Sequence, residues 1–244
     1  MKIVEITPRP LNFILDLDNT LCQCSRYYID AKAEFSELMS KKTGIDPTTA
    51  KRILEGIDSA SIRIYGVGRK RFPLSFFAAS AAIDIIMGRS IGRKQAEKAA
   101  KIAKKVFTAE YPLYKGVWET LVRLKNERYN LFLCTMGDYN VQFRKLKKNN
   151  LFEIFPRSHV YIGTEKTAES FQAIIDEHHL NVQRTVVVGD SIGVDICPAK
   201  EVGAISVHIN NDDQVTVHDE KPCTPDYKIA YFSELPTILE KLNS

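Results

Sequence analysis

From residue 113 to residue 209 the chain alternates short apolar runs with amphipathic ones, and that alternation leaves few folds open. The runs NLFLCT (130–135), HVYIG (159–163), TVVVGD (185–190) and AISVHI (204–209) are separated by helical patterns at 117–127, 138–149 and 167–179, with another helix expected before the last strand. Strands without a polar face need cover on both sides, and short parallel strands obtain it from crossover helices. The prediction is an α/β fold built on a Rossmann-like doubly wound parallel sheet. An earlier run, NFILDL (12–17), shares this character but is followed by residues with almost no strand pattern. Segments 27–42, 47–57, 73–87 and 93–110 instead carry apolar residues at helical spacing, with Pro47 and Pro73 where helix starts tolerate proline. The expected division is a core of residues 1–20 and 113–244, interrupted after its first strand by a helical insertion, residues 21–112. Open α/β sheets bind ligands at the carboxyl ends of their strands, so an insertion there is placed to act as a lid.

Two acids interrupt the first strand. In NFILDLDNTLC, Asp16 and Asp18 lie two residues apart in an otherwise apolar run. On an extended chain such residues face the same way, and burying both as carboxylates costs hydration and sets like charges against each other. A cation would offset that cost. The remaining strands also end in polar residues. Thr135 closes the second run and is followed by Met136 and Gly137, whose backbone N–H groups would open a helix, a place where phosphate is readily held. Lys166 follows the third strand, and Gly189 and Asp190 close the fourth, with Asp195 one turn further on. Each of these alone reads equally as a helix cap or a surface charge. Gathered at one edge of the sheet they make a site.

Asp16, Asp18 and Asp190 would form a compact all-oxygen cluster, which suits Mg2+ better than zinc or copper, and Mg2+ in turn suits phosphate. In that setting Asp16 is the candidate nucleophile towards phosphorus, forming an aspartyl-phosphate. Asp18 is the candidate general acid and then base, while Lys166 and the cation stabilise charge on the transferring oxygens.

Hydrophobic residues at 44% and charged residues at 26% are those of an ordinary globular protein. The formal charge of +4 is mild; the basic runs GRKRF (68–72), 92–105 and RKLKK (144–148) could favour anionic ligands, but lysines opposite the apolar row Ala96, Ala99, Ala100, Ala103 and Phe107 read as a solvated helix face rather than a nucleic-acid surface. The opening MKIVEITPRP lacks the apolar run of a signal peptide. LSFFAASAAIDIIMG (74–88), the longest apolar segment, contains Asp84, is too short to span a bilayer, and reads as a buried helix. A cytoplasmic protein without a membrane partner is expected. Of five cysteines, Cys134 and Cys197 lie in apolar patterns as reduced thiols would, and the CxC of Cys22 and Cys24 has no partner pair at zinc spacing.

In sequence order, DLDNT (16–20), Thr135 at the end of LFLCT, Lys166 in EKTAESF and GDSIGVD (189–195) resemble the four signatures of the haloacid dehalogenase superfamily of hydrolases, in its subfamily I with a helical C1-type cap after the first strand. PLYKGVWETLVRLK (112–125) and ICPAKEVGAISVHI (196–209) resemble the flanking segments, although Lys115 stands where proline is commoner. The resemblance implies that Asp16, Asp190 and the backbone carbonyl of Asp18 bind Mg2+, and that Thr135 and Lys166 grip the phosphoryl group. It further implies Asn19, Thr20, Met136 and Gly137 as substrate contacts and Asp195 as support for metal or lysine from behind. True dehalogenases of the family expel halide and lack the second acid, so Asp18 favours a phosphatase acting on a small phosphorylated metabolite. A phosphoryl transferase or mutase, and a silent binding protein on the same fold, remain open. In the insertion, Arg63, Arg69, Lys70 and Arg71 are candidates for meeting an anionic substrate, whereas Tyr27 and Tyr28 read as packing residues.

Overall fold

The computed structural model describes residues 11–210 and 223–242. The first ten residues, expected to begin the core and read above for a signal peptide, lie outside the described residues, as does segment 211–222. Six strands form one sheet: β1 (Asn12–Leu15), β2 (Asn130–Met136), β3 (Val160–Gly163), β4 (Thr185–Gly189), β5 (Ile205–Ile209) and β6 (Tyr227–Ile229). All neighbours pair in parallel, in the order β3-β2-β1-β4-β5-β6. The chain thus lays β1 at the centre, works outward through β2 and β3, and returns to β4 on the other side of β1. This reversal opens a crevice between the carboxyl ends of β1 and β4, the place where such sheets bind ligands. Leu15 pairs with Val188 there, and the Asp16 N–H extends the ladder to the Val188 carbonyl at 2.9 Å.

Between β1 and β2 the chain forms α1 (Ser25–Thr43), α2 (Pro47–Tyr65), α3 (Arg71–Ile86), α4 (Arg93–Val106) and α5 (Val117–Asn126). The first four pack around an apolar cluster of their own, in which Phe35, Met39, Leu54, Phe76 and Ile83 are fully buried. α1 lies on α2 and α4, and α3 on the same two helices. Local signals explain the first boundary. Gly44 ends α1 in the left-handed conformation at φ 78°, and Asp46 caps α2 by accepting from the Thr49 N–H at 2.8 Å, with Pro47 at the first helical position. α2 runs beyond the expected residue 57 to Tyr65, leaving Ile64 and Tyr65 exposed. α3 is two-sided rather than buried all round, since Leu74, Ile85 and Ile86 face outward. Among the described residues no helix is long and apolar enough to cross a membrane.

The sheet divides its side chains strictly by alternation. Phe13, Leu15, Leu131, Leu133, Val186 and Val188 turn to one face with α5, α6 (Tyr139–Lys148) and, at the far end of the chain, α9 (Leu235–Leu242). Ile14, Phe132, Cys134 and Val187 turn to the other, under α7 (Ala168–Glu177) and α8 (Cys197–Glu201). Cover on both faces is what the apolar runs required. Cys197 corrects the expectation of a reduced thiol: it forms a disulfide with Cys223, Cα–Cα 5.5 Å, tying the start of α8 to the approach to β6. Its apolar neighbours signal burial, and burial alone says nothing about a partner. Cys22, Cys24 and Cys134 are buried free thiols.

Candidate active site

Asp16 is the first residue beyond β1, buried at the switch-point crevice. Lys166, in the loop after β3, is buried too; its ammonium lies 2.6 Å from Asp16 Oδ1 and also pairs with Asp195. Asp195 is presented by a π-helical turn, Ile192–Ile196, in which the N–H groups of Asp195 and Ile196 both donate to the Ser191 carbonyl. That turn folds Asp195 back over the end of β4, so that a Cβ on Gly189 would lie 2.5 Å from Asp195 Cβ. The Ser191 N–H closes the arrangement by donating to Asp195 Oδ2 at 3.1 Å. Carboxylate oxygens of Asp16, Asp190 and Asp195 lie within 4.8 Å of one another.

Three carboxylates therefore crowd around one ammonium, which pairs with two of them, Asp16 and Asp195. Burial pushes Asp16 up to about 7 against the pull of Lys166, and the charge of Asp195 adds to the rise. Asp190 is raised as well, by burial first and then by Asp16 and Asp195. Burial by itself would lower Lys166, but the two carboxylates outweigh it and raise the ammonium well above its ordinary range. Among the described residues Asp16 Oδ2 is buried without a hydrogen-bond partner. An orphaned oxygen inside an over-negative, all-oxygen cluster fits a hard divalent cation, which would relieve both defects.

Asp18 has a different environment. After Leu17 the chain makes a tight loop: the N–H groups of Leu21 and Cys22 return to the Leu17 carbonyl, and Asn19 takes a left-handed φ of 60°. The loop delivers the Asp18 carboxylate to α6, where Lys145 Nζ lies 2.7 Å from each of its oxygens. Gln142 Nε2 lies 3.0 Å from Asp18 Oδ2, 2.8 Å from Thr135 Oγ1 and 3.0 Å from the Met136 carbonyl. Asp138 caps this helix, accepting from Asn140 and Val141 N–H. The two acids expected to repel each other on one strand thus hold separate lysines. Neither Gln142 nor Lys145 is singled out by the sequence, and Lys145 stands apart within RKLKK, being 3% exposed while Lys147 and Lys148 are exposed. The available signal was periodicity, since Gln142 and Lys145 share a helix face with the buried Leu146.

The site opens on a cavity of about 540 Å3 between the strand ends and the helical insertion. Asp16, Asp18, Thr135, Lys166, Asp190 and Asp195 all line it. So do Asn19, Met136 and Gly137, though the Gly137 N–H is already donated to the Gly163 carbonyl at 2.8 Å and is not directed at the cavity. Thr20 corrects the expectation of a substrate contact: it is 1% exposed and absent from the lining, because the left-handed turn at Asn19 sends the next residue inward. On the insertion side Arg69 and Arg71 line the cavity, but both are engaged, Arg69 with Asp138 at 3.0 Å and Arg71 with Asp58. Arg63 and Lys70 are exposed and lie outside the lining. Tyr27 packs edge-on to Tyr111, whereas Tyr28 packs on Phe72 and also lines the cavity.

A parallel sheet in this order, with carboxylates and a buried lysine gathered between its first and fourth strands, defines a Rossmann-like α/β protein with an anionic strand-end site. The chain belongs to the haloacid dehalogenase-like hydrolase family, which its residues 13–209 match. It is similar to the glyceraldehyde 3-phosphate phosphatase of Pyrococcus furiosus, 29% identical over 133 residues, which are 52% of this chain and 55% of that protein. The chain therefore spans about half the length of that relative. A haloacid dehalogenase-like family hydrolase from Xanthomonas campestris has the same fold, with a TM-score of 0.76 at 21% identity, covering 96% of this chain and 92% of that one. So does a HAD-hydrolase from Bacillus subtilis bound to magnesium, with a TM-score of 0.61 at 19% identity, covering 96% and 100%.

Proposed function

We propose that the protein is a Mg2+-dependent phosphomonoesterase acting on a small phosphorylated metabolite through an aspartyl-phosphate, with residues 21–112 as a cap over the core of residues 1–20 and 113–244. The observation that carries this reading is the division of labour between the two acids: Asp16 sits inside the lysine-bound carboxylate cluster, and Asp18 faces the same cavity from outside it. The phosphoryl group docks against Thr135 and Lys166. A carboxylate oxygen of Asp16 attacks phosphorus, a P–O bond to it forms as the ester P–O bond breaks, and Asp18 supplies the proton taken by the departing alkoxide. Asp18, now a carboxylate, removes a proton from water as the water oxygen bonds to phosphorus and the acyl phosphate bond breaks, releasing phosphate and restoring Asp16.

Asp16, Asp190 and the Asp18 carbonyl, with Asp195 beside them, would hold Mg2+, which supplies positive charge against the transferring oxygens. The phosphatase among the relatives and the magnesium-bound neighbour of the same fold support this reading. Purified protein is expected to hydrolyse phosphate esters, to lose activity to a chelator and to regain it with Mg2+. Asp16→Asn is expected to remove turnover. A folded Asp16→Asn enzyme that still turns over would show that the nucleophile lies elsewhere.

A further inference from the structure

We propose that Lys145, together with Gln142, is a positioning residue that sets the proton-handling carboxylate of Asp18 relative to the phosphoryl-gripping hydroxyl of Thr135. The inference rests on the phosphatase reading and adds to it two residues outside the four signature segments. Lys145 is buried and bridges both Asp18 oxygens, a geometry that fixes the rotation of the carboxylate plane as well as its position. Its ammonium is held in turn over the Tyr111 ring at 4.3 Å and 3.5 Å from Cys24 Sγ. Asp18 itself is more open, with 27% of its side chain exposed, so the rigidity of the pair comes from the lysine. Gln142 then links the same carboxylate to Thr135 through one amide nitrogen. A single short helix, capped by Asp138, therefore carries both anchors and references the acid of the first signature to the hydroxyl of the second. A carboxyl group that passes a proton must meet the oxygen it serves, leaving alkoxide or attacking water, at hydrogen-bond distance, so one free to rotate loses much of its value in the transition state while barely altering substrate binding.

The test is a double-mutant cycle on steady-state hydrolysis of an alkyl phosphate, with thermal unfolding followed on each protein. Lys145→Met is expected to lower kcat by about 10²-fold, the usual loss for a catalytic group misplaced by roughly 1 Å, with KM changed by less than about threefold. In an Asp18→Asn background the same substitution is expected to change kcat by less than about twofold, because the group it positions is no longer a carboxylate. Should Lys145→Met not fold, Lys145→Ala, which likewise removes the donor towards Asp18, is read on the same cycle. An undiminished Lys145 effect in the Asp18→Asn background, a loss confined to KM, or wild-type kcat in a folded Lys145 variant would each overturn the positioning role while leaving the phosphatase reading intact. Absence of wild-type turnover on any phosphate ester would instead sink the phosphatase reading, and this inference with it.

Discussion

Replacing Gly189 by alanine tests whether the carboxylate cluster is held as tightly as its geometry implies. The backbone at Gly189 is not in a left-handed conformation, so the glycine is required by space alone. The new methyl would lie 2.5 Å from Asp195 Cβ and closer still to its carboxyl carbon, whereas non-bonded carbons keep about 3.5 Å, so Asp195 must retreat by about 1 Å. It has nowhere to go without consequence. Asp195 is 1% exposed, bonded to the Ser191 N–H and paired with Lys166, and Lys166 holds Asp16 at 2.6 Å. Displacement therefore passes from a glycine with no chemistry of its own to Asp16, the proposed nucleophile. Overpacking of this kind costs about 1–3 kcal/mol of stability, or roughly 2–10 °C in Tm for a chain of this size. The misplacement is expected to cost about 10²-fold in kcat, equivalent to about 2.7 kcal/mol of transition-state stabilisation. The assay is kcat for an aryl phosphate at saturating Mg2+, with Tm from the far-ultraviolet circular dichroism of the same preparation. A Gly189→Ala protein with kcat within about twofold of wild type and an unchanged Tm would refute the contact and the coupling drawn from it.

Two further expectations concern stability. Cys223→Ser opens a disulfide whose ends are 26 residues apart, and loop-closure entropy assigns such a link about 3–4 kcal/mol, so Tm should fall by roughly 10 °C and thiol reduction of the wild type should give the same shift. Asp226 accepts from Lys200, from the Ser206 N–H and from the Ser206 hydroxyl; partial burial acts to raise its carboxyl, but these bonds prevail and hold it below the ordinary 3.8. A carboxyl lowered by folding stabilises the native state above its unfolded value, and that stabilisation is lost as pH falls through the folded value. The stability difference between wild type and Asp226→Asn, on the order of 1 kcal/mol after solvent screening, should hold at neutral pH and shrink in denaturant titrations below pH 3.8; a difference that grows on acidification would contradict the sign.

Residues whose meaning is local were legible from the sequence alone. A strand covered on both faces must be apolar within its own few residues, so the runs at 12–17, 130–135, 159–163, 185–190 and 204–209 declared a covered parallel sheet, and the polar residues that end them, Asp16, Thr135 and Asp190, line one cavity at its edge. The helical insertion declared itself by spacing and by proline, although α2 outran its expected end where its last turn buries nothing. What escaped is long-range. β6 and α9 occupy the short stretch after residue 222, whose three-residue strand is too brief for a period to show. Lys145 and Asp18 are 127 positions apart, and a lysine in RKLKK looks solvated in every window of sequence. Only the pairing of β2 beside β1, which brings α6 to the end of β1, and the loop that aims Asp18 at α6, turn that lysine into the buried partner of an acid. Side-chain patterning encodes which elements form, because it acts within a few residues. Which charge meets which depends on how those elements pack, and the free energy of that packing is spread over the whole core.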